Sequence, residues 1–66
     1  MQRTPKEISA EINAQAQGKF SVLRQGYHQN TRNLCWFLLS NLRTVYFTPH
    51  DSNKTIRQGL INAGGL

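Results

Sequence analysis

Arg24, His28 and Arg32 recur at four-residue spacing in the middle of the chain. In an α-helix this spacing stacks them along one face, with Gln25 and Gln29 beside them. Guanidinium groups bind phosphates, and Arg and Gln side chains can pair with base edges in the major groove. The pattern therefore indicates a nucleic-acid-binding ridge, and an ordinary solvated helix face is the alternative interpretation.

The charge of the whole chain agrees with an anionic partner. Eight Lys and Arg residues against three Asp and Glu residues give the 66-residue chain a formal net charge of +5. Such a charge favours nucleic acid or anionic lipid headgroups, although many small proteins are basic without binding either. The predicted nucleic-acid contacts are Arg24, His28, Arg32, Arg43, Lys54 and Arg57.

No set of residues indicates an enzyme or a metal site. The carboxylates of Glu7, Glu11 and Asp51 form no credible acid–base pair, and no glycine-rich loop precedes a nucleotide-binding helix. Cys35 lies in an apolar run without an activating partner, which is typical of a packing residue. On a helix, His28 and Cys35 are too far apart to share a zinc ion. We expect no catalysis, no cofactor and no metal.

The C-terminal segment SNKTIRQGLINAGGL, residues 52–66, resembles the recognition-helix segment of excisionase-like and MerR-like helix-turn-helix proteins. In both, a Ser precedes Thr-Ile-Arg and a Gly follows the helix. The resemblance covers fifteen residues, and the spacing from Arg57 to the terminal glycines differs by one residue. It implies that Lys54, Thr55, Arg57 and Gln58 face DNA.

The elements that position these side chains begin with a clear helix start. Thr4 is a preferred N-cap, Pro5 has the fixed φ of a first helical residue, and Glu7 completes a capping box. Ile8 and Ile12 follow at helical spacing. A first helix is therefore expected from Pro5, with one narrow apolar stripe.

A second helix is expected over 22–43, either continuous or broken within GYHQNT, residues 26–31, where helix propensity is poor. In such a helix residues 34–39 are apolar on every side, and a helix of this kind is buried all round. This predicts an interface with a second copy or a partner, although other segments of the chain could also cover it. The predicted interface residues are Leu34, Trp36, Phe37, Leu38, Val45 and Phe47.

A short strand and a last helix complete the chain. TVYFT, residues 44–48, is β-branched and aromatic, which predicts a strand. A single strand leaves its backbone groups unpaired, so it needs a symmetry mate or the edge of a partner's sheet, unless it is only an extended connector. Asp51, Ser52 or Asn53 can cap a helix over KTIRQGLINA.

These patterns predict one mainly α domain over 1–66, in the order helix, helix, short strand, helix, assembled as a homodimer through residues 34–47. The longest apolar run has six residues, far fewer than the ~20 of a transmembrane helix. The N-terminal residues contain no apolar signal segment, and a lone Cys35 is typical of a reducing compartment. We therefore expect a cytoplasmic protein.

Three functions agree with these features. The first is a non-enzymatic nucleic-acid-binding regulator that acts on DNA. The second is a small inhibitor or adaptor, of the kind that phages and plasmids encode, that acts on a host protein through Trp36 and the 44–48 strand. The third is a basic amphipathic segment on an anionic membrane surface.

Overall fold

The computed structural model describes residues 2–29 and 31–66, so Met1 and Asn30, which lies in the expected helix break, fall outside it. The chain is a small α+β domain, and the expected mainly α fold is wrong. Along the chain, one α-helix precedes a three-stranded sheet and a second α-helix follows it. A single π-helical turn comes after the second helix. The elements are α1 (Pro5–Ala16), β1 (Val22–Tyr27), β2 (Cys35–Leu39), β3 (Thr44–Phe47), α2 (Asn53–Gly59) and the π-turn (Leu60–Gly64).

The first helix begins as expected. The side chain of Thr4 accepts a hydrogen bond from the Glu7 amide at 3.3 Å, and the Thr4 amide donates to Glu7 Oε1 at 3.0 Å. Hydrogen bonds from the backbone and side chain of Thr4 lower the pKa of the Glu7 carboxyl. Gln17 and Gly18 both take positive φ angles after Ala16. A change to the left-handed conformation therefore ends α1.

The expected second helix over 22–43 is wrong, because the described residues of this segment form β1, β2, parts of the connection between them and the turn that leads to β3. Along β2, Cys35, Phe37 and Leu39 are buried, whereas Trp36 and Leu38 are only half-buried. This alternation is the period of a strand, and an apolar run of this length also suits a central strand. The homodimer prediction depended on a helix that was apolar all round. That helix is absent from the described residues, so the homodimer stays a prediction without this support.

The three strands form an antiparallel meander in the order β1-β2-β3. The strand expected near 44–48 is confirmed as β3, and it pairs with β2 of its own chain. Its neighbour is thus supplied within the fold. A bulge at Leu23, between the pairs of Val22 and Arg24, interrupts β1. Leu42, with a φ of 68°, lies in the tight β2–β3 turn.

The last helix is also confirmed. Ser52 is its N-cap and accepts a hydrogen bond from the Thr55 amide at 3.2 Å. The helix continues into the π-turn, and Gly65 ends it with a φ of 89°. The element before α2 is β3, whereas a helix-turn-helix motif has a helix there. The resemblance to helix-turn-helix proteins is therefore confined to residues 52–66, because the preceding element does not match that motif.

The core lies between one face of the sheet and both helices. Side chains from β2 and β3 face inward, and the rings of Phe37 and Phe47 pack with centroids 6.0 Å apart. Burial of each large apolar side chain stabilises the fold by roughly 1.5–3 kcal/mol. The core residues are Ile8, Ile12, Ala16, Phe20, Cys35, Phe37, Leu39, Val45, Phe47, Ile56 and Leu60.

Among the described residues, no helix has both the length and the apolar character needed to cross a membrane.

Gly59 tests the packing of α2 against the sheet. An Ala at a helical position normally gains about 1 kcal/mol over Gly. Here a Cβ would lie 2.5 Å from Cε1 of Phe47, so the ring or the helix has to move. We expect Gly59→Ala to lower the free energy of unfolding by about 1 kcal/mol or more, measured by urea denaturation.

The control for Gly59→Ala is Gln58→Ala, which lies on the exposed side of α2 and should change stability by less than about 0.5 kcal/mol. A stabilising effect of Gly59→Ala would show that residue 59 does not face Phe47.

Candidate nucleic-acid interface

The face of the sheet that is turned away from both helices is called here the open face. Directly opposed residues in antiparallel strands project to the same side, so the register defines its membership. One row crosses the sheet at Trp36 of β2, and the next row crosses it at Leu38. The open face consists of Gly26, Trp36 and Tyr46 in the first row and Arg24, Leu38 and Thr44 in the second.

Trp36 has a fixed position on this face. A Cβ at Gly26 would lie 3.1 Å from Cζ2 of Trp36 and 3.2 Å from Nε1, so the indole rests against the Gly26 backbone. The indole Nε1–H donates to the Tyr27 carbonyl oxygen at 3.2 Å. The ring therefore extends from β2 across β1, and its polar atom is satisfied by a strand-edge carbonyl.

Tyr46 lies directly opposite Trp36 on β3, and 55% of its surface is exposed. The Leu39 amide donates to the Arg43 carbonyl, which makes residues 39 and 43 a hydrogen-bonded pair. Because such pairs alternate, Trp36 and Tyr46 form a non-hydrogen-bonded pair, in which side chains approach most closely. The two residues are thus adjacent on the open face, with the indole of Trp36 extending over β1 and the ring of Tyr46 standing on β3.

The charges of the open face are positive. Arg24 is exposed there, and residues 12–50, which include all three strands, contain no Asp or Glu. Two carboxylates lie on α1 and the third lies in the turn before α2. Each accepts hydrogen bonds close by: Glu7 from Thr4, Glu11 from Gln15, and Asp51 from Thr48. An approaching anion therefore meets no carboxylate on the strands.

The predicted helical ridge does not form, but two of its members still share a side. Arg24 is on β1, and the His28 amide donates to the Leu34 carbonyl at 2.7 Å, which continues the pairing of β1 and β2. Because their separation is even, Arg24 and His28 project to the same side of the strand direction. Arg32 is exposed in the loop between β1 and β2.

The other predicted contacts lie elsewhere. A Cβ at Gly65 would be 3.2 Å from Nε of Arg43, so this side chain extends toward the C-terminal turn. Lys54 and Arg57 are exposed on α2, on the helical side of the sheet. The structure thus distributes the predicted contact residues around the molecule and brings only Arg24 and His28 to one side of the sheet.

The predicted interface residues separate into two groups. Phe37, Val45 and Phe47 are buried in the core of the chain, where its own helices cover them. The half-buried group is Leu34, Trp36 and Leu38. Tyr46 was not predicted as a functional residue. Its signal was present in TVYF, because Val45 and Phe47 point inward in a strand and Tyr46 then points outward.

The described residues offer little for catalysis or metal binding. Burial raises the pKa of the Cys35 thiol, which opposes formation of a reactive thiolate. The described part of the chain has no pocket and no group of three or more side chains placed to hold a metal ion.

Comparison of the chain with protein-family models, curated proteins and solved structures finds no match.

Gly26 tests the position of the indole. Gly26→Val places side-chain atoms where Trp36 now lies, so the ring should lift from β1 and lose its hydrogen bond to Tyr27. Since Trp36 is the single tryptophan, its fluorescence reports this change directly. We expect the emission maximum to shift to longer wavelength, as the indole becomes more hydrated.

Thr44→Val is the matched control, because it adds a methyl group in place of a hydroxyl on the same face but in the other row. It should leave the emission maximum unchanged. An unshifted spectrum for Gly26→Val in a folded protein would contradict the contact between residues 26 and 36.

Proposed function

We propose that this chain is a small non-enzymatic nucleic-acid-binding protein and that the open face is its binding surface. The observation that carries the proposal is the combination of two aromatic side chains on the open face, Trp36 and Tyr46, with exposed Arg24 on strands that contain no carboxylate. Aromatic rings stack on bases, and guanidinium groups bind phosphates.

The charge distribution supports the same proposal. The net charge of +5 attracts a polyanion at long range, and the absence of acidic residues over 12–50 keeps the strands free of local repulsion. Arg32 extends the positive region beyond one end of β1, and the exposed His28 lies between Arg24 and the β1–β2 loop along the chain. A nucleic acid that crosses the open face can therefore contact Arg24 and then continue toward the β1–β2 loop.

Salt dependence tests this proposal. Binding to phosphates releases counterions, so the affinity for a fluorescently labelled oligonucleotide should fall about tenfold or more between 50 and 200 mM salt. Arg24→Glu should weaken binding at 50 mM salt by a similar factor, because it places a negative charge on the open face. Fluorescence anisotropy measures both effects.

Lys6→Glu is the matched control for Arg24→Glu. It makes the same change in net charge at an exposed position of α1, on the helical side of the sheet. It should weaken binding much less than Arg24→Glu. Equal losses in the two variants would indicate binding by net charge alone, and no binding at 50 mM salt would refute the proposed function.

A second function, inhibition or adaptation of a protein, is favoured by one specific observation. The hydrogen bond from Leu39 to Arg43 places the odd-numbered residues of β3 against β2, so the backbone groups of Thr44 and Tyr46 point away from the sheet. An extended segment of another protein can pair with such an edge. Binding of this kind depends on backbone hydrogen bonds and should tolerate salt, which distinguishes it from the first proposal.

A further inference from the structure

We propose that the open face binds single-stranded nucleic acid in preference to duplex, by stacking unpaired bases on Trp36 and Tyr46. This inference rests on the proposed function and defines its ligand class.

The first step is the orientation of Trp36. Its indole lies against the backbone of Gly26, and its Nε1–H is occupied by the Tyr27 carbonyl oxygen. The half-buried state of Trp36 fits a ring with one side on the strand and the other side in water. The ring is already fixed before a ligand arrives, so stacking a base on it costs little side-chain entropy.

Tyr46 is the second aromatic residue of the open face. Tyr46 is opposite Trp36 in a non-hydrogen-bonded pair, where the two Cα atoms are typically about 4.5 Å apart. Tyr46 is more than half exposed. Two aromatic side chains on one face, one over β1 and one on β3, offer positions for two bases of the same strand, and Leu38 of β2 adds apolar surface to this face.

The third step concerns the state of the bases. In a duplex, bases are stacked on each other and present only their edges in the grooves. An aromatic ring that presents its face on a sheet, as Trp36 does, stacks on base faces, which single strands, loops and unpaired ends expose. A cation at the border of an aromatic surface, as Arg24 is here, is placed to contact the phosphates between stacked bases.

Charge opposes a second copy of this chain as the occupant. Face-to-face association would bring two Arg24 side chains and two net charges of +5 together without a carboxylate on the strands to balance them. A single-stranded polyanion has the complementary charge and the flat apolar groups that the rings require.

The experiment compares three labelled ligands of twelve nucleotides per strand: oligothymidine, an abasic strand with the same phosphates, and a duplex. At 100 mM salt, we expect oligothymidine to bind about fivefold or more tightly than the abasic strand, because only the bases stack. It should also bind more tightly than the duplex, although the duplex has more phosphates. Oligothymidine should quench Trp36 fluorescence, and the abasic strand should not.

Variants of Tyr46 assign the effect to the face. Tyr46→Thr removes the ring but keeps a residue that favours strands, and it should lose at least about fivefold in affinity for oligothymidine. Tyr46→Phe keeps the ring and should bind as the wild type does. Ile61→Thr is the control for loss of an exposed apolar side chain, because Ile61 is 49% exposed on the helical side.

Equal affinity for oligothymidine and the abasic strand, tighter binding of the duplex, or unchanged affinity of folded Tyr46→Thr would each overturn the stacking proposal. Binding of the abasic strand would still support the proposed function in those cases. No binding of any ligand at 50 mM salt would refute both. If Tyr46→Thr does not fold, the comparison of oligothymidine with the abasic strand and the quenching of Trp36 decide the question in the wild type.

Discussion

The structure depends on one constraint: a chain of 66 residues has enough apolar side chains to cover only one face of its sheet. Both helices pack on the same face, where Ile8 and Ile12 of α1 and Ile56 of α2 join the inward residues of β2 and β3. Small domains bury a limited fraction of their surface, and none of the described helices packs on the opposite face. The open face is thus a direct consequence of how the core is built.

The central strand shows what this one-sided packing requires. Its inward residues, such as Phe37, are fully buried, but its outward residues Trp36 and Leu38 are also apolar. An outward strand position beside water is normally polar. Gly26, opposite Trp36, is also unfavourable within a strand, since glycine weakens strands and offers no side chain for packing. The indole explains this residue, because a Cβ there would lie only 3.1 Å from the ring and a longer side chain would displace it.

Local capping signals and one strand were predictable from sequence, whereas the pairing of strands was not. Thr4 and Ser52 act as caps because their hydrogen bonds are local, and TVYF has the alternation of a strand with one face buried. The run LCWFLL has no such alternation, so it agrees equally with a buried helix and a central strand. In β1 the bulge at Leu23 interrupts the period of two. No local sequence pattern therefore predicted that residues 22–39 contain two paired strands.

The candidate site was also predictable only where it depends on local spacing in the sequence. A separation of four residues places Arg24 and His28 on one side of either a helix or a strand, so this part of the prediction did not depend on the element. The neighbourhood of Trp36 and Tyr46, ten residues apart in sequence, arises only from the register of β2 and β3. The two residues share one surface because the turn between these strands sets that register. Aromatic residues that sequence analysis assigns to separate elements thus lie on one face of the sheet, the face that the helices leave uncovered.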